Sequence, residues 1–289
     1  MVALVTGSSG FVGSVLLRRL DNAVGISRKD FDLRDFHKLI SFLLRNQVDT
    51  IFHLAATSTV IEGHNDPYET IYNNVMSTTS VMEAARITSA RVVILGSDKE
   101  YGEVRNADES APLGVNSGIY GASKLSSSLI ALAYRREFNV PVTVVRSVNI
   151  YGPQDLNLTR IIPKAVYSSL TGKPFTLYKP SGKRAYIYVD DVVDALITVA
   201  EKGTQYDVVN VCSEDYLSNE EVVSYIASLV PLQVKEVPSP YPQIGEQSLI
   251  CERLKALGWR QKVRFEDGIR LTVPKMFALM REKFNSKPL

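Results

Sequence analysis

Two side chains four residues apart, Tyr120 and Lys124 in the run YGASK, have the types and spacing for acid/base chemistry. On a helix they would lie on one face in adjacent turns, which brings the phenol close to the ammonium group. A nearby positive charge favours the phenolate and lowers the pKa of a tyrosine, so Tyr120 could exchange a proton with an alcohol or sugar hydroxyl. Pairs with this spacing are also common on exposed helices, where they only meet solvent. The pair therefore predicts a catalytic site only if the surrounding elements build one around it.

The first residues of the chain contain a turn that would hold a cofactor. Residues 2–5 form a short apolar run, typical of a buried parallel strand, and lead into Gly7, Gly10 and Gly13 and then a helical pattern. Gly7 allows a tight turn, Gly10 lets the backbone approach a pyrophosphate, and Gly13 lets the helix pack close to the strand. Strand, glycine turn and helix together indicate a dinucleotide site, with the phosphates at the helix N-terminus. The alternative is an ordinary strand-to-helix loop.

The next elements continue this alternation. Apolar runs predict strands at 23–26, 50–54, 91–95 and 142–146, and helical patterns lie at 35–46, 66–88 and 120–138. This order predicts an α/β fold with a doubly wound parallel Rossmann sheet and ligands at the carboxyl ends of its strands. We assign residues 1–150 to a dinucleotide-binding domain and 151–289 to a smaller, interleaved α/β substrate lobe.

The pattern is looser in the second half. Helices are predicted at 158–170, from 190, from a cap at Ser218, and from 267. A strand is predicted at 206–211. Strands at 175–178 and 185–188 are predicted to pair, with Ser181 and Gly182 in the turn between them.

Composition narrows the classes of partner. The 289 residues include 33 Lys and Arg against 31 Asp and Glu, a balance that does not favour nucleic acid or a membrane. No apolar run approaches the roughly 20 residues of a membrane span, and we expect no secretory leader. Cys212 and Cys251 lack metal-ligand spacing and are expected to be free thiols, as in a cytoplasmic protein. The histidines also lack such spacing, so no metal is expected, and His53 is expected to be structural.

Ten motifs, in order along the chain, resemble those of the extended short-chain dehydrogenase/reductase superfamily, in its NAD-dependent epimerase/dehydratase group. They are TGSSGFVG (6–13), DLRD (32–35), FHLAA (52–56), NNV (73–75), GSDKEYG (96–102), YGASK (120–124), RSVNIYGP (146–153), RIIP (160–163), RAYIYVDD (184–191) and LGW (257–259). The resemblance covers almost the whole chain. It implies a nicotinamide cofactor, a nucleotide-diphosphate sugar as substrate, and a homodimer that pairs through the helices at 66–88 and 120–138.

The resemblance also implies roles for individual residues. Tyr120 would be the acid/base and Lys124 would bind the nicotinamide ribose. The expected cofactor contacts are Gly7, Ser9, Gly10, Phe11, Val12, Gly13, Ser27, Arg28, Asp32, Leu33, Leu54, Ala55, Ala56, Asn74, Tyr120 and Lys124. The expected substrate contacts are Ser58, Asn149, Arg160 and Arg184, and an arginine suits a diphosphate because its planar fork makes paired, charge-assisted hydrogen bonds.

The end of the second predicted strand bears on the choice between NAD and NADP. NAD selection usually needs an acidic residue there, bonded to the ribose 2′-hydroxyl. In this chain Ser27 and Arg28 occupy that end, and the first acidic residue is Asp30. Because Ser27 and Arg28 could accept a 2′-phosphate, the sequence favours NADP. NAD stays open, since Arg28 could also stack on adenine.

The triad Ser97-Asp98-Lys99 follows the fourth predicted strand and indicates the reaction. It resembles that of CDP-glucose 4,6-dehydratases. In that reading Ser97 orients the C4 hydroxyl, Asp98 protonates the departing C6 hydroxyl, and Lys99 removes the C5 proton. Lys99 would need a lowered pKa to act as a base. The cofactor would remove hydride from C4 and return it to C6.

Other readings of the triad remain open. Asp98 and Lys99 could be a solvated loop pair in a nucleotide-sugar 4-ketoreductase or 4-epimerase. Two departures from the dehydratase pattern favour that view: Glu100 replaces a small or apolar residue, and Glu246 and Gln247 stand where a basic residue is expected. A third reading is a catalytically silent protein that senses NADP, against which the intact YGASK pair argues.

Overall fold

The computed structural model describes residues 2–114, 118–239 and 245–285. Its strands are β1 (Ala3–Thr6), β2 (Ala23–Ile26), β3 (Thr50–His53), β4 (Arg91–Ser97), β5 (Val142–Ser147), β6 (Asn149–Tyr151), β7 (Phe175–Lys179), β8 (Lys183–Tyr188), β9 (Val208–Val211), β10 (Tyr216–Ser218), β11 (Val234–Pro238) and β12 (Glu246–Gln247). Its helices are α1 (Phe11–Arg19), α2 (Phe36–Arg45), α3 (Val60–Asn65), α4 (Pro67–Thr88), α5 (Gly118–Phe138), α6 (Ile161–Thr171), α7 (Val189–Lys202), α8 (Asn219–Ala227), α9 (Glu252–Ala256) and α10 (Phe265–Asn285). A 3₁₀ turn, Asp98–Tyr101, follows β4 directly.

A six-stranded parallel sheet in the order β2-β1-β3-β4-β5-β9 forms the centre of the molecule. Its inner strands are apolar and almost wholly buried because helices cover both faces. Leu39 of α2, Met82 of α4 and Ala131 of α5 pack on one face, while Leu16 of α1 and Leu196 of α7 pack on the other. The predicted doubly wound α/β fold is confirmed, and β9 shows that the second half of the chain contributes to the same sheet.

The carboxyl ends of the inner strands meet at one edge of this sheet. Thr6, His53, Ser97 and Ser147 are the last residues of β1, β3, β4 and β5. Since parallel strands all end on the same side, polar groups far apart in sequence collect there. This edge is therefore where the site must be sought.

The second half of the chain differs from the prediction in its strand pairing. The predicted pairing of β7 with β8 through Ser181 and Gly182 is wrong. β7 pairs with β11 in parallel, whereas β8 pairs with β6, β10 and β12. Strand partners depend on contacts between distant segments: β6 and β10, both far from β8 in sequence, pair with β8, so the short connection does not close a hairpin.

The two cysteines also differ from the prediction. Cys212 and Cys251 form a disulfide, with their Cα atoms 5.4 Å apart, so the expectation of free thiols is wrong. Cys212 directly follows β9, and Cys251 precedes α9, which packs against β9. Their separation of 39 positions in sequence concealed this proximity. The inference of a cytoplasmic location, which used free thiols as its argument, loses that support.

Candidate active site

The glycine turn between β1 and α1 is shaped to admit a phosphate group. Gly7 has a φ of +69°, and a Cβ there would lie 2.9 Å from the Cα of Ala55. A Cβ on Gly13 would lie 2.2 Å from the carbonyl oxygen of Gly7. Helix α1 begins at Phe11, and its N-cap, Gly10, has no side chain that could cap the first amide groups, so these are available to an anion. The turn therefore fits the pyrophosphate of a dinucleotide.

A cleft of about 1050 Å³ lies at the carboxyl edge of the sheet and is walled by both halves of the chain. The expected cofactor contacts on its wall are Gly7, Ser9, Gly10, Phe11, Val12, Gly13, Ser27, Arg28, Asp32, Leu33, Leu54, Ala55, Ala56, Tyr120 and Lys124. The triad Ser97-Asp98-Lys99 and three expected substrate contacts, Ser58, Asn149 and Arg160, also line it. One continuous space is thus lined by both the glycine turn and the acid/base candidates.

His53 holds the strands together under this cleft. Its Nδ1 hydrogen-bonds with the hydroxyl of Thr6 at 2.9 Å, and its Nε2 with that of Thr78 at 3.1 Å. The Thr6 hydroxyl also accepts the amide groups of Leu54 and Ala55, both at 3.2 Å. Burial lowers the pKa of His53 to about 3, so the ring is neutral. The side chain has a structural role beneath the cofactor site.

Tyr120 and Lys124 lie on α5 beside the end of β4. The phenol lies close enough to the hydroxyl of Ser97 for that group to favour the phenolate, and the Lys124 ammonium donates to the carbonyl oxygen of Leu95 at 2.6 Å. Contrary to the expected depression, burial raises the pKa of Tyr120 to about 12. Lys124 does not offset this effect, because its ammonium is directed at the backbone carbonyl of Leu95. In this structure Ser97 and the positive charge of Arg160 are the groups that favour the phenolate.

Asp98 and Lys99 form a buried ion pair at the start of the 3₁₀ turn. The Lys99 nitrogen lies 3.0 Å from Oδ1 and 3.1 Å from Oδ2 of Asp98, and the two residues are only 2% and 8% exposed. The Ser97 hydroxyl accepts the Lys99 amide and donates to Oδ1 of Asp98, both at 3.2 Å. Burial lowers the pKa of Lys99, against the opposing effect of Asp98. The pair is therefore not a solvated loop pair, and the direction of the Lys99 shift is the one that a base requires.

Glu100, the departure from the dehydratase pattern, lies fully buried beneath this pair. Its Oε1 accepts the Ser97 amide at 2.9 Å, and its Oε2 accepts Nε of Arg146 at 2.8 Å. Arg146 also donates to the hydroxyl of Tyr101 at 2.9 Å. Ser97 and Glu100 make a reciprocal capping box, a pattern of Ser followed three residues later by Glu that is visible in the sequence. Neither this capping box nor the buried contact of Glu100 with Arg146 was predicted from the sequence.

The substrate side contains a bridge between the two halves of the chain. Arg160, at the start of α6, donates to Oδ1 of Asp155 at 2.9 Å and to the Ser58 hydroxyl at 3.0 Å. Asn149 donates to the carbonyl oxygen of Ala185 at 3.2 Å. Ser58 and Arg160 thus reach across the cleft near Tyr120, whose pKa responds to the Arg160 charge.

Two expected site residues lie outside the cleft wall. Asn74 is 2% exposed, and its amide accepts the Thr57 N–H at 2.7 Å and donates to the Ser123 hydroxyl at 2.9 Å. Its neighbour Asn73 lines the cleft instead. The guanidinium of Arg184 donates to the carbonyl oxygen of Gly245 at 3.3 Å, and its charge acts on the nearby Lys99. Asn74 therefore supports the site from behind, and Arg184 lies at its margin.

Within the described ranges, no group of three or more His, Cys, Asp or Glu side chains could hold a metal ion. The same part of the chain contains no helix long and apolar enough to cross a membrane.

The glycine turn, the open start of α1 and the Tyr-x-x-x-Lys pair beside β4 define a dinucleotide-dependent enzyme of the Rossmann class. The family model "NAD dependent epimerase/dehydratase family" matches residues 3–212, and the chain belongs to that family. This confirms the family that the ten motifs indicate.

Individual relatives of the chain are nucleotide-sugar enzymes. A trifunctional UDP-glucose 4,6-dehydratase/UDP-4-keto-6-deoxy-D-glucose 3,5-epimerase/UDP-4-keto-L-rhamnose-reductase of Arabidopsis thaliana is 27% identical over 93% of this chain, which spans only 46% of that protein. The dTDP-glucose 4,6-dehydratase 1 of Escherichia coli K12 is 28% identical, over 94% of this chain and 92% of that protein. The crystal structure of a Streptomyces venezuelae dTDP-glucose 4,6-dehydratase with NAD bound matches with a TM-score of 0.90 and 26% identity, covering 98% of both chains.

Proposed function

We propose that the protein is a nucleotide-sugar 4,6-dehydratase, which converts a nucleoside-diphosphate hexose to its 4-keto-6-deoxy form with loss of one water. The observation that carries this proposal is the buried Asp98–Lys99 pair beside Ser97 and Tyr120. Epimerisation or reduction at C4 needs only a proton at C4, for which Tyr120 suffices, and gives no reason to bury a second acid and base. The dehydratases among the relatives support the same reaction.

The Asp98–Lys99 contact suggests how one pair supplies both an acid and a base. At 3.0 Å, a proton can move from the Lys99 ammonium to the Asp98 carboxylate without changing the net charge of the pair. The resulting neutral amine can remove the C5 proton, and the resulting carboxylic acid can protonate the departing C6 hydroxyl. Because both groups are buried, the neutral form avoids the cost of keeping two charges away from water.

The remaining groups act at C4. Tyr120 takes the proton of the C4 hydroxyl, which the neighbouring Ser97 hydroxyl orients. Lys124 and the glycine turn would hold a nicotinamide dinucleotide, which would supply a hydride acceptor for C4 and a hydride donor for C6. Lys99 then returns a proton to C5, and the proton that Tyr120 took passes through solvent to the Asp98–Lys99 pair, which restores the starting protonation of all three groups. The overall change is the loss of water, with no net consumption of the cofactor.

We propose CDP-glucose as the substrate, because the order Ser97-Asp98-Lys99 resembles that of CDP-glucose 4,6-dehydratases. The names of the relatives refer instead to dTDP-glucose and UDP-glucose. The purified protein is incubated with CDP-, dTDP-, UDP- and GDP-hexoses and the products are analysed by mass spectrometry. Loss of one water, greatest with CDP-glucose, supports the proposal. A change of stereochemistry without loss of mass identifies an epimerase, and stoichiometric oxidation of a reduced cofactor with a 4-keto sugar identifies a reductase.

We propose NAD as the cofactor, although the sequence favours NADP. The amide and the hydroxyl of Ser27 both donate to the carboxylate of Asp30, at 2.8 and 2.9 Å, so neither donor is free for a 2′-phosphate. The carboxylate would also repel that phosphate. Isothermal titration should show tighter binding of NAD than of NADP. In the variant Asp30→Asn the preference should weaken, because the repulsion is removed; tighter binding of NADP by the unaltered protein would overturn this assignment.

We further propose that two copies pair through α4 and α5, as the family resemblance implies. These helices leave large apolar side chains exposed, including Ile71, Met76, Leu129 and Phe138 at 43%, 38%, 50% and 47%. Light scattering should give the mass of a dimer. Leu129→Glu should give a monomer, whereas Leu44→Glu, at an exposed position on α2, should leave the dimer intact. A monomeric unaltered protein would contradict the pairing.

A further inference from the structure

Gln247 lies behind the acid/base pair, at a position where a basic residue is expected from the family pattern. It belongs to β12 and is 1% exposed. Its amide nitrogen donates to the carbonyl oxygen of Asp98 at 3.0 Å and to that of Gly102 at 2.7 Å. Its amide oxygen accepts a hydrogen bond from the Lys99 ammonium. Both ends of this amide are thus committed to the 3₁₀ turn that carries the pair.

The contact with Lys99 restricts a side chain that is otherwise flexible. A lysine nitrogen has three donors on a four-carbon stem, and holding it in one place costs rotamer entropy. Asp98 fixes the nitrogen from one side and Gln247 from another. When the proton passes to Asp98, the amide oxygen can still hold one N–H of the neutral amine. The direction of the amine's lone pair is then set by Gln247.

The segment that contains Gln247 also contacts Arg184, the residue expected to bind the diphosphate of the substrate. In the parallel pairing of β12 with β8, Gln247 is the register partner of Arg184. The Arg184 guanidinium donates to the carbonyl oxygen of Gly245, two residues earlier. One short segment therefore joins the arginine at the margin of the cleft to the lysine inside it.

We propose that Gln247 is a positioning residue for the acid/base chemistry: it holds the Lys99 nitrogen at the C5 side of the sugar and orients its lone pair after proton transfer to Asp98. This proposal rests on the dehydratase function above. A neutral amide suits this role, since an arginine or lysine at the same place would repel the Lys99 ammonium.

The charges around Lys99 determine in which direction each Gln247 variant should change the pKa of Lys99. Asp98 faces it from the same turn and Arg184 from β8, while Glu100 below is neutralised by Arg146. On α5, Tyr120 and Lys124 also line the cleft. Replacing Gln247 by Glu adds a negative charge at the Lys99 nitrogen and should raise its pKa. Replacing it by Met removes an acceptor from the ammonium and should lower it.

The test compares Gln247→Met and Gln247→Glu with a matched control, Gln261→Met. Gln261 also uses both ends of its amide, with Ser213, Asp215 and Val263, in a part of the lobe away from the cleft. For Gln247→Met we expect kcat for water loss to fall about tenfold or more, with KM within about threefold. The control should keep kcat within about twofold. Melting temperatures monitor the fold, and an equal loss in the control would overturn the proposal.

The pH dependence gives the decisive readout. Because the reactive pair holds one proton, which is lost when Lys99 deprotonates, the falling limb of the kcat profile should move more than the rising limb, to higher pH in Gln247→Glu and to lower pH in Gln247→Met. A residue that is only structural would move both limbs together or not at all, and either result would overturn the proposal. If Gln247→Met does not fold, Gln247→Glu alone is the test: a shift of the falling limb of its pH profile to higher pH supports the positioning role of Gln247, and no shift refutes it.

A second measurement separates failure of this proposal from failure of the proposed function. The Lys99 signal is followed by NMR in protein with ¹³C at the lysine ε-carbons, assigned with Lys99→Arg. Opposite changes in its titration midpoint in the two Gln247 variants support the positioning role even if no hexose loses water. Unchanged midpoints refute that role even if the protein is a dehydratase.

Discussion

The buried ion pair of Glu100 and Arg146 should be one of the most sensitive points of the fold. Glu100 is 0% and Arg146 2% exposed, so neither charge has access to water as a substitute partner. The substitution Glu100→Gln keeps the size of the side chain and an acceptor for the Ser97 amide, but leaves the guanidinium without its counter-charge. Removing one partner of a buried pair costs about 3–5 kcal/mol.

The structure places the expected cost at the lower end of that range. Arg146 keeps its hydrogen bond to the Tyr101 hydroxyl, and its guanidinium carbon lies 4.7 Å from the centre of that ring. The cap on Ser97 can also survive through the amide oxygen of the new glutamine. We therefore expect Glu100→Gln to lower the free energy of unfolding by about 3 kcal/mol.

Urea unfolding followed by circular dichroism measures this change. The matched control is Glu266→Gln, which breaks an exposed pair with Arg270 and should cost about 0.5 kcal/mol or less. The double variant Glu100→Gln/Arg146→Met removes both charges and should regain at least about half of the loss. A cost below about 1 kcal/mol for Glu100→Gln, or no recovery in the double variant, would refute the role assigned to the pair.

Two other predictions concern the cofactor site. Gly13→Ala should weaken NAD binding far more than Gly10→Ala in isothermal titration, because the new Cβ would lie 2.2 Å from the Gly7 carbonyl oxygen in the first case and 3.1 Å in the second; equal effects would contradict the close approach of helix to turn. Folding lowers the pKa of His53 from 6.5 to about 3, so between these values the unfolded chain binds a proton at His53 and the folded chain does not. The free energy of unfolding should therefore fall as the pH drops below 6.5. His53→Asn should remove part of this slope in urea titrations between pH 7 and 4, whereas His37→Asn, on the exposed side of α2, should not; an unchanged slope for His53→Asn would contradict the buried neutral ring.

The sheet and the glycine turn were predictable because their physics is local. Parallel strands buried on both faces must be continuous apolar runs, and a turn as tight as that of Gly7 needs a residue without Cβ. Ser97, Asp98 and Lys99 follow such a run directly, so their place at the carboxyl edge of the sheet followed from the strand order. Their burial did not, since it depends on segments far away in the chain.

The features that were missed depend on contacts between distant segments or on a single step along a helix. Gln247 is 148 residues from Lys99 and has no local pattern around it. Asn73 and Asn74 differ by a rotation of about 100° around α4, too small a step in sequence for the motif NNV to decide which of them faces the cleft. The pairing of Cys212 with Cys251 depends on the packing of α9 against β9. Only Glu100 had a readable signal, the Ser-x-x-Glu capping box.

The central claim is that a hydride leaves C4 and returns to C6 while Asp98 and Lys99 eliminate water across C5 and C6. The most direct test uses CDP-glucose, or the hexose nucleotide that turns over best, with deuterium at C4, in ordinary water and in heavy water. We predict a 4-keto product that has lost one water, holds the C4 deuterium at C6, and gains one solvent deuteron at C5 only in heavy water. Asp98→Asn should lose this product. Retention of the deuterium at C4 without loss of mass would contradict the dehydratase.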